Sequence, residues 1–244
     1  MKRSLLATLL LLLVGTAQAQ YDAGATVGMG QGMVLNNSVI GSNVMGDVIL
    51  QQGRSSERTA HRGGAGPASA ADFAALQFRP SSEVSAQVLD RIARQFGGHQ
   101  PDTYRQALAR DDMLAKFDTL LRQYGYDSHN VADAFTAYLV LSWEVVNNGS
   151  IAQNRAGIDA VRHNMQRALA RNPRFVAMPD AQKQEMAETF GYLAMIASAT
   201  RSELQRKGDP ASLARLQDGV NGTARKMGVD LRGIKLTPQG FVAL

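Results

Sequence analysis

The sequence predicts an all-α fold, a bundle of about six to seven amphipathic helices, preceded by a signal peptide and a Gly-rich, mostly disordered arm. Three observations lead to this prediction. Apolar residues recur at helical spacing from Pro80 almost to the end of the chain. Short turns rich in Gly, Pro and Asn separate the periodic segments. The chain has no Cys, so the core alone must hold the fold, and roughly 225 residues after the signal peptide are ample for that.

Residues 1–19 contain the three parts of a secretory signal peptide in the expected order. Lys2 and Arg3 form the positive start, residues 5–14 form the apolar run, and Ala17-Gln18-Ala19 is a small-residue cleavage site. Cleavage there starts the mature chain near Gln20 and predicts a periplasmic or secreted location. No later apolar run approaches the ~20 residues of a membrane-spanning helix, so we expect no transmembrane span.

Residues 20–79 are predicted to form a separate arm and linker. This stretch is rich in Gly, Ser and Asn, and residues 54–70 have the composition of a flexible, charged linker. Residues 21–53 also carry many apolar side chains, so a short hairpin with strands at residues 39–40 and 48–50 is the alternative to disorder. The predicted helical domain then covers residues 80–244.

The helical domain is divided by its apolar periodicity. The predicted helices cover residues 82–96, 102–124, 131–147, 154–171, about 180–207 and about 210–227. Asn130 and Asp209 are predicted N-caps, and an Asp side chain near residues 110–112 is expected to break the second segment and cap a further helix. Gly219 and Gly222 weaken the last helix unless they allow close packing. Residues 228–244 are predicted to be an irregular apolar tail that lies back across the bundle.

The segment 131–147 is predicted to be a central helix, because its apolar residues cover more than one stripe. Phe135, Tyr138 and Trp143 lie in this segment. They are either ordinary core aromatics or the lining of a ligand pocket between helices.

Glu144 is the candidate for acid–base chemistry, because burial beside Trp143 would raise its pKa. Asp133 is the candidate for a second carboxylate, as a glycosidase-type reaction requires. Glu144 nevertheless falls on the least apolar side of the predicted helix, together with Asp133, which favours a solvated position. No serine-nucleophile or phosphate-loop motif occurs in the sequence.

Metal, cofactor and nucleic-acid binding have little support in the composition. No two of the four His have a metal-binding helical spacing, and thiolate ligands are excluded because Cys is absent. We therefore predict no metal and no cofactor. Removal of Lys2 and Arg3 leaves 24 basic and 21 acidic side chains, a net charge of +3, which does not indicate a nucleic-acid partner. Four arginines on the segment 154–171 form a predicted basic face for interactions: Arg155, Arg162, Arg167 and Arg171.

Three stretches of the predicted helical domain form a recognisable set. They are the run Tyr126-Asp127-Ser128-His129-Asn130-Val131-Ala132-Asp133-Ala134 with Tyr138 and Trp143 after it, the helix start Asp180-Ala181-Gln182-Lys183-Gln184, and the ending Leu236-Thr237-Pro238-Gln239-Gly240-Phe241. Over about residues 80–242 this set resembles a family of exported proteobacterial proteins known only as a domain of unknown function. The resemblance implies an exported helical domain and no mechanism.

Three functions follow from the sequence as hypotheses. The leading one is a non-enzymatic helical module that binds a protein or a cell-envelope component, with an envelope or secreted protein as partner and the basic face and the arm as contact surfaces. The alternatives are an envelope hydrolase that uses a buried carboxylate pair, and a carrier of a small apolar ligand between helices. A hydrolase requires converging polar groups in a cleft, and a carrier requires an enclosed cavity of ~300 Å³ or more.

Overall fold

A computed structural model describes residues 73–244 of the chain, so the predicted signal peptide and nearly all of the predicted arm lie outside the described residues. The described part is mostly helical, which confirms the main prediction. Its helices are α1 (Ser82–Phe96), α2 (Pro101–Asp111), α3 (Met113–Gln123), α4 (Val131–Asn147), α5 (Arg155–Ala170), α6 (Pro173–Val176), α7 (Asp180–Lys207) and α8 (Pro210–Lys226).

Two helix starts form as their cap residues predict. The Asn130 side chain accepts hydrogen bonds from the backbone N–H groups of Ala132 and Asp133, at 3.0 and 3.3 Å, and Asp209 accepts from Ser212 at 3.0 Å. These bonds satisfy N–H groups that the first helical turn leaves without partners. Asp112 differs from the prediction. It separates α2 from α3 because its backbone is left-handed (φ 46°), and its side chain makes no capping hydrogen bond.

The core is built around α4, which is predicted to be central and is buried at 13 of its 17 residues. Helix α7 lies beside it in parallel, since Phe135 near the start of α4 stacks on Phe190 and Glu144 near the end of α4 approaches Arg201, which follows Phe190 along α7. Next to this last pair, Val145 joins α7 and α8 in a smaller apolar cluster. Helices α1, α3, α5 and α8 pack against this central pair, whereas α2 packs mainly on α1 and α6 packs mainly on α5.

The C-terminal tail corrects the all-α prediction. After a 3₁₀ turn (Leu231–Gly233), the chain forms strands β1 (Ile234–Thr237) and β2 (Gly240–Ala243), which pair antiparallel with Leu236 opposite Phe241. The residues between the strands are Pro238 and Gln239, a two-residue hairpin connection. The fold is therefore mostly helical with one small sheet in its described part.

Side chains of the helical part hold the hairpin in place. Trp143 Nε1 donates a hydrogen bond of 3.0 Å to the carbonyl of Ile234, and Asn154 Nδ2 donates one of 3.1 Å to the carbonyl of Leu236. The Phe241 ring is fully buried and lies 6.2 Å from the Trp143 ring. A two-stranded hairpin is marginal alone, so these contacts account for its stability.

Two side chains that precede the predicted domain start at residue 80 are buried. Leu76 is 0% exposed and Phe78 is 6% exposed. The Phe78 N–H donates to His129 O, and the Val131 N–H donates to Leu76 O, both at 3.0 Å. Leu76 and Phe78 are therefore part of the core, although composition predicts a linker up to residue 79.

Two glycines give opposite predictions for replacement by alanine. A Cβ at Gly157 would lie 2.2 Å from the carbonyl oxygen of Thr237, whereas a Cβ at Gly222 would meet nothing within 4 Å. We expect Gly157→Ala to lower the free energy of unfolding by about 1–3 kcal/mol through overpacking against the hairpin. Gly222→Ala should raise it by about 0.4–1 kcal/mol, because alanine loses less conformational entropy in a helix. Urea unfolding followed by circular dichroism measures both, and the same sign for both would contradict this description.

Candidate functional site

Asp133 is the centre of a buried ion pair. It is 0% exposed, and its carboxylate accepts two hydrogen bonds from Arg162, at 2.6 and 2.7 Å. Gln166 Nε2 and the backbone N–H of Asp127 donate two more, at 3.1 and 3.0 Å. An ionised carboxylate accepts about four hydrogen bonds, so Asp133 has none left for a substrate. The side of α4 that the sequence predicts to be solvated is covered here by α5.

Two tyrosines extend this ion pair into a larger cluster. The Arg162 guanidinium lies 4.3 Å from the centre of the Tyr126 ring, and the Arg155 guanidinium lies 5.0 Å from that of Tyr124. The Tyr126 hydroxyl donates to Asp159 at 2.7 Å, and Arg155 Nε donates to the same carboxylate at 2.8 Å. Burial and the Asp159 carboxylate together raise the pKa of Tyr126 above its ordinary value. The cluster fastens α5 to the connection between α3 and α4.

The predicted basic face is thus divided in two. Arg155 and Arg162 are held by Asp159 and Asp133. Arg167 and Arg171 are exposed and make no salt bridge with any residue in the range 73–244, although Arg167 donates to the side-chain oxygen of Asn164. We call Arg167 and Arg171 the outer basic pair.

Glu144 lies at the other end of α4 from Asp133. The two residues are 11 positions apart, which corresponds to about 16 Å along the helix axis. A glycosidase-type pair requires a separation of ~5–9.5 Å, so Glu144 and Asp133 do not form one. The side chain of Glu144 is 21% exposed, and its nearest cation is Arg201 Nη1 at 3.9 Å.

Burial raises the pKa of the Glu144 carboxyl, against the opposing effects of Arg201 and of a backbone hydrogen bond from Ile151. Because this pKa is higher in the folded than in the unfolded state, the contribution of Glu144 to stability is greatest below its unfolded pKa. It is lost as the pH rises through the folded pKa. At neutral pH the cost of burying the charged Glu144 carboxylate therefore exceeds the stabilisation that Arg201 and the Ile151 backbone provide.

This gives a pH-dependent expectation for Glu144→Gln. The variant should be more stable than the parent near pH 7, because glutamine carries no charge to desolvate, and the difference should disappear in acid below the unfolded pKa of Glu144. Denaturant midpoints measured across pH 3–7 test this. A Glu144→Gln chain that is less stable than the parent at pH 7 would mean that the contact with Arg201 outweighs the burial.

The aromatic candidates are packed against protein. Phe135 and Tyr138 are buried and stack on Phe190, with ring centres 4.6 and 5.0 Å from it. Trp143 is half-buried beneath the hairpin. A small apolar recess does lie nearby, and its volume is about 20 Å³; it is lined by Leu120, Leu121, Tyr124, Tyr126, Ala137, Val140, Leu141, Ile151 and Ile158. That is room for about one water molecule, far less than an apolar ligand needs.

Sequence reasoning missed a second polar cluster, between α1 and α7. The carboxylate of Glu188 accepts from Ser85 Oγ and from Gln184 Nε2, both at 2.7 Å. Gln184 Nε2 also donates to the Ser81 carbonyl, and Gln184 Oε1 accepts from the Ser81 N–H, both at 2.8 Å. In the same region Arg91 pairs with Glu185. These residues come from segments about 100 positions apart, so neither spacing nor periodicity indicates their contact.

These observations define a mostly helical domain whose polar clusters join its own elements to one another. Across residues 73–244, no group of three or more His, Asp or Glu is arranged to hold a metal ion, and no helix is long and apolar enough to cross a membrane. The model of a family of unknown function, DUF6683, matches residues 1–244, and the chain belongs to that family. No curated protein matches the chain, and no solved structure matches it. The family match confirms one part of the resemblance that the sequence motifs indicate, membership of a family of unknown function.

Proposed function

We propose that this chain is an exported, non-enzymatic module that binds a protein or another component of the cell envelope. The signal-peptide features of residues 1–19 support export to the periplasm or the outside. The observation that most supports binding is that the two halves of the basic face differ in their acidic partners. Arg155 and Arg162 are neutralised within the domain, whereas the outer basic pair has no acidic partner among the described residues.

The character of the surface supports a polar contact. Leu244 is the one large hydrophobic residue that is exposed in the part of the chain that the structure describes. A binding surface on this domain therefore has little apolar area to offer. Two unpaired arginines favour an acidic partner, and attraction of this kind weakens as salt is added.

The other two hypotheses have less support. The proposed hydrolase pair is separated by three turns of α4, and the four hydrogen bonds to Asp133 hold its carboxylate in place. The recess beside Tyr124 has space for about one water molecule. We therefore rank the binding module first, the hydrolase second and the carrier third.

The proposal is tested with the full mature chain and an isolated envelope fraction. We expect cosedimentation at low salt that falls as salt is added, and several-fold weaker cosedimentation for the double variant Arg167→Ala/Arg171→Ala. The matched control is Arg94→Ala/Arg225→Ala, which removes two other exposed arginines without a salt bridge. Equal loss in both double variants would show that net charge, rather than the outer basic pair, causes the binding. No loss in either would show that the outer basic pair is not the contact surface.

A further inference from the structure

The chain contains two Asn-Gly dipeptides, Asn148-Gly149 and Asn221-Gly222. In this dipeptide the backbone nitrogen of the glycine can attack the side-chain amide carbon of the asparagine. Glycine favours the attack because it has no side chain to hinder the approach or restrict the backbone. The two dipeptides are chemically identical, so any difference in their reactivity comes from the fold.

Asn148 is held loosely at the end of α4. It is exposed and forms the C-cap with a left-handed backbone (φ 49°, ψ 26°). Its side-chain oxygen receives one hydrogen bond, a long one of 3.4 Å from Gln205. Neither the Asn148 side-chain NH₂ nor the Gly149 N–H donates to any group within residues 73–244. The attacking and leaving groups are therefore both free of hydrogen bonds to the described protein.

Asn221 is held firmly inside α8. It is 4% exposed. Its side-chain nitrogen donates to Asp230 at 3.0 Å, and its side-chain oxygen accepts from the backbone of Leu231 at 2.8 Å. Since Gly222 lies within the same helix, its N–H belongs to the helical ladder. Attack at this site requires both the side chain and the helix to be released.

We propose that Asn148 is a site of spontaneous covalent modification and that Asn221 is protected by the fold. The Gly149 nitrogen loses its proton to solvent base and forms a bond to the side-chain carbon of Asn148. The bond from that carbon to its NH₂ group breaks, and ammonia leaves with a proton from water. Water then opens the cyclic imide at either carbonyl and gives aspartate or isoaspartate. No oxidant or reductant takes part.

The structure also explains why the labile glycine is needed at position 149. A Cβ there would lie 2.7 Å from the Trp143 ring, so a larger residue would displace the tryptophan that holds the hairpin. The new carboxylate at position 148 lies one helical turn after Glu144, where like charges repel. It also lies at the C-terminal end of α4, where the helix dipole disfavours negative charge. The modification therefore changes the charge at the end of α4, close to Trp143, which holds the hairpin, and to Glu144, which contacts Arg201.

The experiment follows both sites in the folded mature chain by peptide mass spectrometry during incubation in mildly alkaline buffer. The attack requires ψ of Asn148 to leave 26°, which local opening at the helix end allows, whereas release of Asn221 requires opening of a buried helix. We expect conversion at Asn221 to be at least roughly tenfold slower than at Asn148. An isoaspartate-specific methyltransferase should label the peptide that contains residue 148 in the parent and leave the same peptide unlabelled in Asn148→Gln; the peptide with Asp218-Gly219, which can form isoaspartate by the same route, is scored separately.

The same incubation in denaturant is the matched control. There the two dipeptides should react at similar rates, because the fold no longer separates them. Faster reaction at Asn148 only in the folded chain supports the proposal. Conversion of Asn148 that is seen in denaturant but absent from the folded chain would overturn it, as would equal rates at Asn148 and Asn221 in the folded chain.

Discussion

Replacing Arg162 by alanine is expected to lower the free energy of unfolding by about 3–5 kcal/mol, because the fully buried carboxylate of Asp133 would lose its cation. The two guanidinium hydrogen bonds disappear with the side chain, and so does the ring contact with Tyr126. Equilibrium unfolding in urea, followed by circular dichroism, measures the change.

Two further variants separate a structural role of Arg162 from a role in contacting partners. Arg171→Ala removes an exposed arginine without a salt bridge from the same helix and should change stability by less than about 0.5 kcal/mol. Arg162→Ala/Asp133→Asn should recover part of the loss, because a neutral amide is less costly to bury than an unpaired charge. If Arg162→Ala is as stable as Arg171→Ala, the ion pair is not a structural element.

Replacing Phe190 by alanine is expected to lower the free energy of unfolding by about 3–5 kcal/mol, because it leaves a cavity in the middle of the core. The ring is 2% exposed and lies between α4 and α7, where it stacks on both Phe135 and Tyr138. Phe190→Leu keeps most of the volume and should cost less than about 1.5 kcal/mol. Both changes are measured by urea unfolding.

The Phe190 variants also test the ligand hypothesis for these aromatic residues. Side chains that only fill the core lose stability in proportion to the volume removed. Side chains that line a ligand pocket tolerate truncation with little loss of stability, since the pocket is already partly open. A stable Phe190→Ala chain would therefore contradict the packing described here and favour the carrier.

The helices could be predicted well because each depends on local chemistry. Asn130 and Asp209 cap the first turns of α4 and α8 with their own side chains, and apolar spacing marks the buried face of each helix. The hairpin was missed because residues 228–244 are short and their alternation is weak. Its strands depend on hydrogen bonds from Trp143 and Asn154, which are at least 80 positions away.

The candidate residues were identified one by one, but their partners were not. The sequence predicts different roles for Asp133 and Arg162, a catalytic carboxylate and a contact arginine, although each is the other's main partner. Their separation of 29 positions crosses a helix boundary, so no helical period connects them. The sequence gives only a weak indication that Tyr124 and Tyr126 belong to this cluster: they flank Gly125, just before the capped start of α4.

The sequence by itself determined the helical class, the order of most helices, two of the caps and the need for a core without disulfides, because these depend on local propensity and on composition. Only the tertiary structure decided that Arg162 is a buried partner, that the outer basic pair has no acidic neighbour in the described domain, and that the tail is a hairpin. These outcomes depend on which distant segments meet, and burial then sets the energy of every polar group at the contact.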